Sequence, residues 1–331
     1  MCGIFGFTLK DSAIEPERRA ILAATLARLN DERGGDSWGV CRLESESPHV
    51  HRGLTTLADH VGVLLGSPRL FAHTRWATHG KVTIENAHPF AVNGIIGAHN
   101  GIVYNHYDLA KKYNRSYEVD SQHIFAHLSV GADMGEIEGY GAIEWVVVGK
   151  PEMYLCRLVE GELAIAGVGG DLDHPLGVVW SSDADHLEDA FAAAGLDWFP
   201  YQVRTGIVYE PRETGLFISG PKIEITKRKY VPIVKGAYSD DPNWQRYLRA
   251  RYGEGTTRAS SDSTATVESS RRPRKTKQTR RTTKWLRADE GAASDAIAEQ
   301  ITAERMQRII DAKSPPVVTG DLVDVGGNRR L

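Results

Sequence analysis

Apolar positions 4, 5 and 7 and the glycines between them predict a strand over the first seven residues, Met1-Cys2-Gly3-Ile4-Phe5-Gly6-Phe7. Glu15-Pro16 opens a helix, with Pro16 suited to the first turn and Ile21, Leu22, Thr25, Leu26 and Leu29 on one face. The turn Arg33-Gly34-Gly35-Asp36-Ser37 feeds a strand at 39–43. A short helix is expected at 54–65, a strand at 69–74, an apolar strand at 92–98 and a helix through Leu109 and Tyr113. A further helix runs to Leu128, capped by Asp120 or Ser121. Strands follow at 143–148, 153–159, 162–167 and 176–180, with Glu160-Gly161 as a hairpin turn between the second and third. Ser181-Ser182-Asp183 leads into a helix to Ala194, and 201–209 reads as one more strand. Few strands alternate with helices one for one, so the pattern argues for layered sheets covered by helices.

Beyond Tyr238 the pattern fades. Residues 253–284 are Gly, Ser, Thr and basic residues with almost nothing to bury, a composition that predicts disorder. At 294–312 a helix is expected, with Ala298, Ile301, Met306, Ile309 and Ile310 on a broad face. The chain therefore divides into a domain at 1–238, a low-complexity basic linker at 239–284 and a short helical segment at 285–331. Between Arg271 and Lys284 lie eight basic residues and no acid. With a net charge of −3 overall, the remainder is the more acidic by eight charges. Such a run neutralises phosphates, so a polyanion or nucleic acid is one expected contact; a solvated linker or an acidic partner's dock is the other.

The 41% hydrophobic and 25% charged content is that of a soluble globular protein. No apolar run is long enough to span a membrane and no leader precedes the first strand, so no membrane contact and a cytoplasmic location are expected. Cys2, Cys41 and Cys156 are too widely spaced for a disulfide framework or a zinc knuckle. The Gly34-Gly35-Asp36-Ser37 stretch leaves a helix and enters a strand, the reverse of a phosphate-binding loop. Asp120, His123 and His127 share a helical face, but no third ligand motif supports them, and neither a metal nor a cofactor is expected.

Cys2 follows Met1 and is small enough for an aminopeptidase to expose it. The processed terminus would carry a thiol and, on the same Cα, an amine titrating near ~8 that can take the thiol proton. A thiolate attacking an amide creates an oxyanion that preorganised donors must meet. Asn100-Gly101, at the end of an apolar strand, offers a side-chain amide beside an unhindered backbone N–H. Arg75 suits the two-pronged carboxylate contact an amino-acid substrate needs, and Asp120 its α-ammonium. Each residue alone has a structural reading: a turn, a solvated arginine, a helix cap.

Taken together and in order, Cys2-Gly3-Ile4, Arg33-Gly34-x-Asp36-Ser37, His73-Thr74-Arg75-Trp76-Ala77-Thr78-His79-Gly80, Asn86-Ala87-His88-Pro89, His99-Asn100-Gly101 and Asp120 resemble the glutaminase domain of class II glutamine amidotransferases. These are N-terminal-nucleophile hydrolases, and the pattern is most similar to that of glucosamine-6-phosphate synthase. The resemblance runs to about residue 212. It implies an α+β fold, a four-layer αββα sandwich. It implies Cys2 as nucleophile with its own amine as base, and Asn100 and Gly101 as the oxyanion hole. Arg75 and Asp120 would hold the α-carboxylate and α-ammonium of L-glutamine, and Trp76, Thr78 and His79 would belong to the loop closing over it. His79 and His88 would position rather than transfer protons. Phe90 departs from the pattern, standing where the synthases have a second histidine after His-Pro. Only about 120 residues follow the match, too few for paired sugar-isomerase domains. The expectation is a glutaminase supplying ammonia to a separate synthase in trans. The alternatives are a γ-glutamyl amide or peptide hydrolase, and a non-catalytic glutamine-binding module tethered to nucleic acid by the basic run.

Overall fold

The fold follows from strands that are apolar on both faces. In a computed structural model, residues 2–227 are described except 45–46, 79 and 170–172. His79, the basic run from Arg271 to Lys284 and the segments beyond residue 227 lie outside the described residues. The elements run β1 (Gly3–Leu9), α1 (Pro16–Asp31), β2 (Ser37–Glu44), β3 (Ser47–Leu54), β4 (Arg69–Arg75), β5 (Phe90–Val92), β6 (Ile95–Val103), α2 (His106–Tyr113) and α3 (Gln122–Val130). They continue with β7 (Gly139–Val147), β8 (Met153–Arg157), β9 (Ala164–Val168), β10 (Gly177–Ser181), α4 (Ala184–Ala194), β11 (Trp198–Pro200), β12 (Val208–Arg212) and β13 (Gly215–Ile218).

Two antiparallel sheets result, ordered β11-β9-β10-β1-β4-β2-β3 and β13-β12-β8-β7-β6-β5. Every position of β1 is buried. Its Phe5, Phe7 and Leu9 pack with Leu22 and Leu26 of α1 and Phe191 of α4. Ile4 instead joins Phe71, Ile96, Ala142 and Trp180 in a core between the sheets. On the far side of the second sheet, Ile143 and Trp145 pack against Ile124 and Phe125 of α3 and Leu109 of α2. These three cores define four layers, αββα, as the resemblance implies. Among the described residues no helix is long and apolar enough to cross a membrane.

Several expectations are corrected. The run at 92–98 is two strands, because Asn93 and Gly94 both adopt positive φ (48° and 81°) and turn β5 into β6. The second of these strands continues to Val103, so Asn100 and Gly101 lie within it rather than at its end. Only a 3-10 segment, Ala58–Leu64, forms in the predicted helix at 54–65, and Leu54 ends an unpredicted strand. Of residues 201–209 only Val208 and Tyr209 lie in a strand, β12, and the preceding strand β11 ends at Pro200 in the other sheet. Glu160-Gly161 is no hairpin turn either, since β8 and β9 lie in opposite sheets and the segment carries the chain across the sandwich. Ser121, the residue before α3, does not cap it with its side chain. Ser121 Oγ is 2.9 Å from His99 Nδ1, and Asp120 is committed to β6.

Candidate active site

Cys2 immediately precedes the central strand β1, and β4 runs beside it, delivering Arg75 and Trp76 to the same edge. The Cys2 thiol lies against the Trp76 backbone, accepting its N–H at 3.3 Å and donating to its carbonyl at 3.4 Å. Burial pushes the thiol pKa up, while the Trp76 amide and the Arg75 charge pull against that rise. Arg33, in the turn after α1, donates from Nε to the Cys2 carbonyl at 3.0 Å. Its two other nitrogens pair with Glu162 and, at 3.5 Å, with Asp183. The Cys2 backbone is thereby tied to three segments distant in sequence.

One cleft gathers Cys2, Trp76, Thr78, Asn100 and Gly101, with Glu160 and Glu162 on its border. Asn100 donates from Nδ2 to Ser182 Oγ at 2.9 Å. The floor is shaped by glycines: a Cβ on Gly101 would lie 2.0 Å from the Tyr140 carbonyl oxygen, and one on Gly161 would lie 1.7 Å from that of Gly141. Backbone from β6, β7 and the crossing segment can meet there only without side chains.

Arg75 and Asp120 are buried and are not among the residues lining this cleft. Arg75 donates from Nη1 to the Lys81 carbonyl at 3.1 Å, and Asp120 Oδ2 accepts the Val103 N–H at 2.7 Å. Both act electrostatically on Cys2, Arg75 lowering its pKa and Asp120 raising it. Asp36, from the turn before β2, fixes the loop after β4 by accepting the Ala77 N–H at 2.9 Å.

The histidines take supporting positions. His99 Nε2 donates to the Tyr140 carbonyl at 3.1 Å, and its pKa is lowered by burial. His88 is buried, its ring centroid 3.9 Å from that of His73. Burial pushes the His73 pKa down to about 3 and that of His88 well below the usual value. Neutral, enclosed rings of this kind fill space rather than shuttle protons. His127 is bonded to Arg115 at 2.8 Å.

The structure thus brings together Cys2, Trp76, Thr78, Asn100 and Gly101, while Arg75 and Asp120 are buried and do not line the cleft. Two contributors were missed. Arg33 and Ser182 both stand inside motifs visible in the sequence, yet their contacts to Cys2 and Asn100 join segments that only the folded sandwich brings near. A half-buried thiol in one cleft with an amide side chain and a glycine floor is equipped for attack on a carbonyl and for holding the resulting oxyanion.

No family model matches the chain. It is similar to the glutamine–fructose-6-phosphate aminotransferase (isomerizing) of Aquifex aeolicus, at 31% identity over 196 residues, covering 51% of this chain and 31% of the relative. The enzyme of the same name from Methanosarcina mazei is 29% identical over 245 residues, covering 69% of this chain and 38% of the relative. The chain thus matches about a third of the length of these curated relatives. Among solved structures, a glutamine phosphoribosylpyrophosphate amidotransferase from B. subtilis aligns with a TM-score of 0.46 and 18% identity, covering 66% of this chain and 49% of the other.

Proposed function

The N-terminal half of this chain is a class II glutamine amidotransferase domain, and we propose on that premise that it hydrolyses the side-chain amide of L-glutamine through Cys2. The observation that carries the reading is the meeting of the Cys2 thiol, Asn100 and Gly101 in one cleft. Removal of Met1 would give Cys2 a free α-amine, which takes the thiol proton as sulfur attacks the γ-carbonyl carbon. The Asn100 amide and the Gly101 N–H hold the oxyanion of the tetrahedral intermediate. Collapse expels the amide nitrogen, which leaves as ammonia with the proton the amine returns. A γ-glutamyl thioester remains on Cys2. Water, deprotonated by the same amine, attacks that thioester and releases glutamate and the thiol. Arg75 pairs with the substrate α-carboxylate and Asp120 with its α-ammonium, while Trp76, Thr78 and His79 close over it.

Ammonia released into water at neutral pH is mostly ammonium and a poor nucleophile, so a separate synthase that accepts it in trans is the partner we propose. The relatives' name pairs glutamine with fructose 6-phosphate, and the acceptor of this chain's ammonia is set by its partner.

Steady-state release of glutamate from L-glutamine and from γ-glutamyl peptides tests the reading. We expect glutamine to be the better substrate, Cys2→Ala to be inactive, and a glutamine-analogue electrophile to add to Cys2. Turnover confined to the peptides would replace ammonia supply with peptide hydrolysis.

A further inference from the structure

Ser182 sits where β10 gives way to α4, and it is buried. Its N–H donates to the Ile4 carbonyl at 2.8 Å, which extends the pairing of β10 with β1 by one residue. The return bond is not made by the Ser182 carbonyl. The Ile4 N–H goes to Ser182 Oγ instead, at 2.9 Å. The same oxygen accepts from Asn100 Nδ2, also at 2.9 Å. One hydroxyl therefore joins β1, at Ile4 two residues after Cys2, to the side chain of Asn100 in the opposite sheet. Its own hydrogen has the Ile4 carbonyl at 3.4 Å as an acceptor.

A primary amide nitrogen carries two hydrogens. Ser182 Oγ takes one, which fixes the plane of the Asn100 amide. With the amide so fixed, the second hydrogen is held at a set angle relative to Cys2 and is available to an oxyanion in the cleft. Without the hydroxyl the amide turns more freely about χ2, a broad and soft torsion. The donor would then have to be ordered during the reaction rather than beforehand.

We propose that Ser182 is a positioning residue that aims the Asn100 amide at the oxyanion of the acyl-transfer reaction. The inference rests on the glutamine hydrolase reading above. Its effect belongs to the transition state, because the ground-state amide of the substrate carries little charge for Asn100 to hold.

A double-mutant cycle tests it, with kcat, KM and the rate of Cys2 alkylation by iodoacetamide measured for wild type, Ser182→Ala, Asn100→Ala and the double variant. Alkylation is a substitution at carbon with no oxyanion, so it reports on Cys2 without involving Asn100. Removing a whole oxyanion donor costs about 100-fold or more in kcat, so a mis-aimed one in Ser182→Ala should cost about 10-fold, with KM and alkylation changed less than about threefold. In the Asn100→Ala background, loss of the hydroxyl should cost nothing further. Equal losses in both backgrounds, or alkylation falling in step with kcat, would overturn the proposal by showing that Ser182 acts on the Cys2 strand. Should Ser182→Ala fail to fold, Ser182→Cys keeps the volume with a poor acceptor and takes its place in the cycle. A wild-type protein that releases no ammonia overturns the hydrolase reading and this proposal together, whereas an active wild type with an additive cycle overturns this one alone.

Discussion

The surroundings of Cys2 work against its own ionisation. Burial raises the thiol pKa, and the Trp76 amide and the Arg75 charge offset that only in part. A nucleophile so placed needs a base at hand rather than a thiolate at rest, and the α-amine of a processed terminus is the base nearest in covalent terms. Protonated amine cannot accept the thiol proton, so kcat/KM should rise about tenfold per pH unit until the amine is neutral, near pH ~8, and then level off. A pH–rate profile with L-glutamine measures this, and a rate already flat between about pH 6 and 8 would contradict it. At this scale the sequence was informative wherever chemistry is carried by residue type next to a chain terminus or inside a dense polar motif. That Cys2, Asn100 and Gly101 belong to one cleft was legible for that reason. Ser182 was not, because its role consists of a contact 82 positions away.

Among the elements, the strands were easier to find than their partners. The pattern over residues 153–167 announced two strands and a turn, but local spacing holds no information on which sheet each strand joins. Glu160-Gly161 looks like a hairpin turn and is a crossing between sheets. The crossing passes so close over β7 that a Gly161 side chain would collide with the Gly141 backbone, its Cβ 1.7 Å from the carbonyl oxygen and 2.4 Å from the carbonyl carbon. Backbone cannot yield as a flexible side chain does. Gly161→Ala should therefore lose about 3 kcal/mol of stability, and activity with it, since the displaced segment borders the cleft. Urea denaturation followed by fluorescence reads the first effect and glutamate release the second. A variant of wild-type stability would mean that the crossing is looser than described. The Asn93-Gly94 turn, by contrast, was fully legible in principle, because an Asn-Gly pair between apolar runs marks a two-residue hairpin. Its flanking residues merged into one strand only because both halves are apolar.

Across the whole molecule, covering both sheets erases the in-and-out contrast on which pattern reading depends. β7 is buried on both faces, so period-two alternation gave no sign that Glu144 points between the sheets, where Trp180 Nε1 donates to it at 2.7 Å. Burial pushes its pKa well above the ordinary value, so the folded protein holds a proton there that the unfolded chain releases above about pH 4.5. That contribution to stability is present at low pH and lost as pH rises. Asp31, raised to about 6 chiefly by burial, has the same sign over a shorter range. His73, lowered to about 3, His123, lowered to about 4, and His88, well below its usual value, have the opposite sign: burial keeps them neutral when folded, so their contribution is present above pH 6.5 and lost as pH falls toward their lowered values. Between pH 4.5 and 6.5 three histidines outweigh two carboxyls, and above 6.5 Glu144 alone remains of this set. Stability should therefore peak near pH 6.5 and decline on the alkaline side by about 1.4 kcal/mol per pH unit until the folded pKa of Glu144 is reached. Glu144→Gln keeps an acceptor for Trp180 but has no proton to lose, so its urea midpoint should stay level from pH 6.5 to 8 while that of the wild type falls. If the two midpoints instead run parallel over that range, the Glu144 carboxyl is ionised in the folded sandwich, and its charge has a partner other than Trp180.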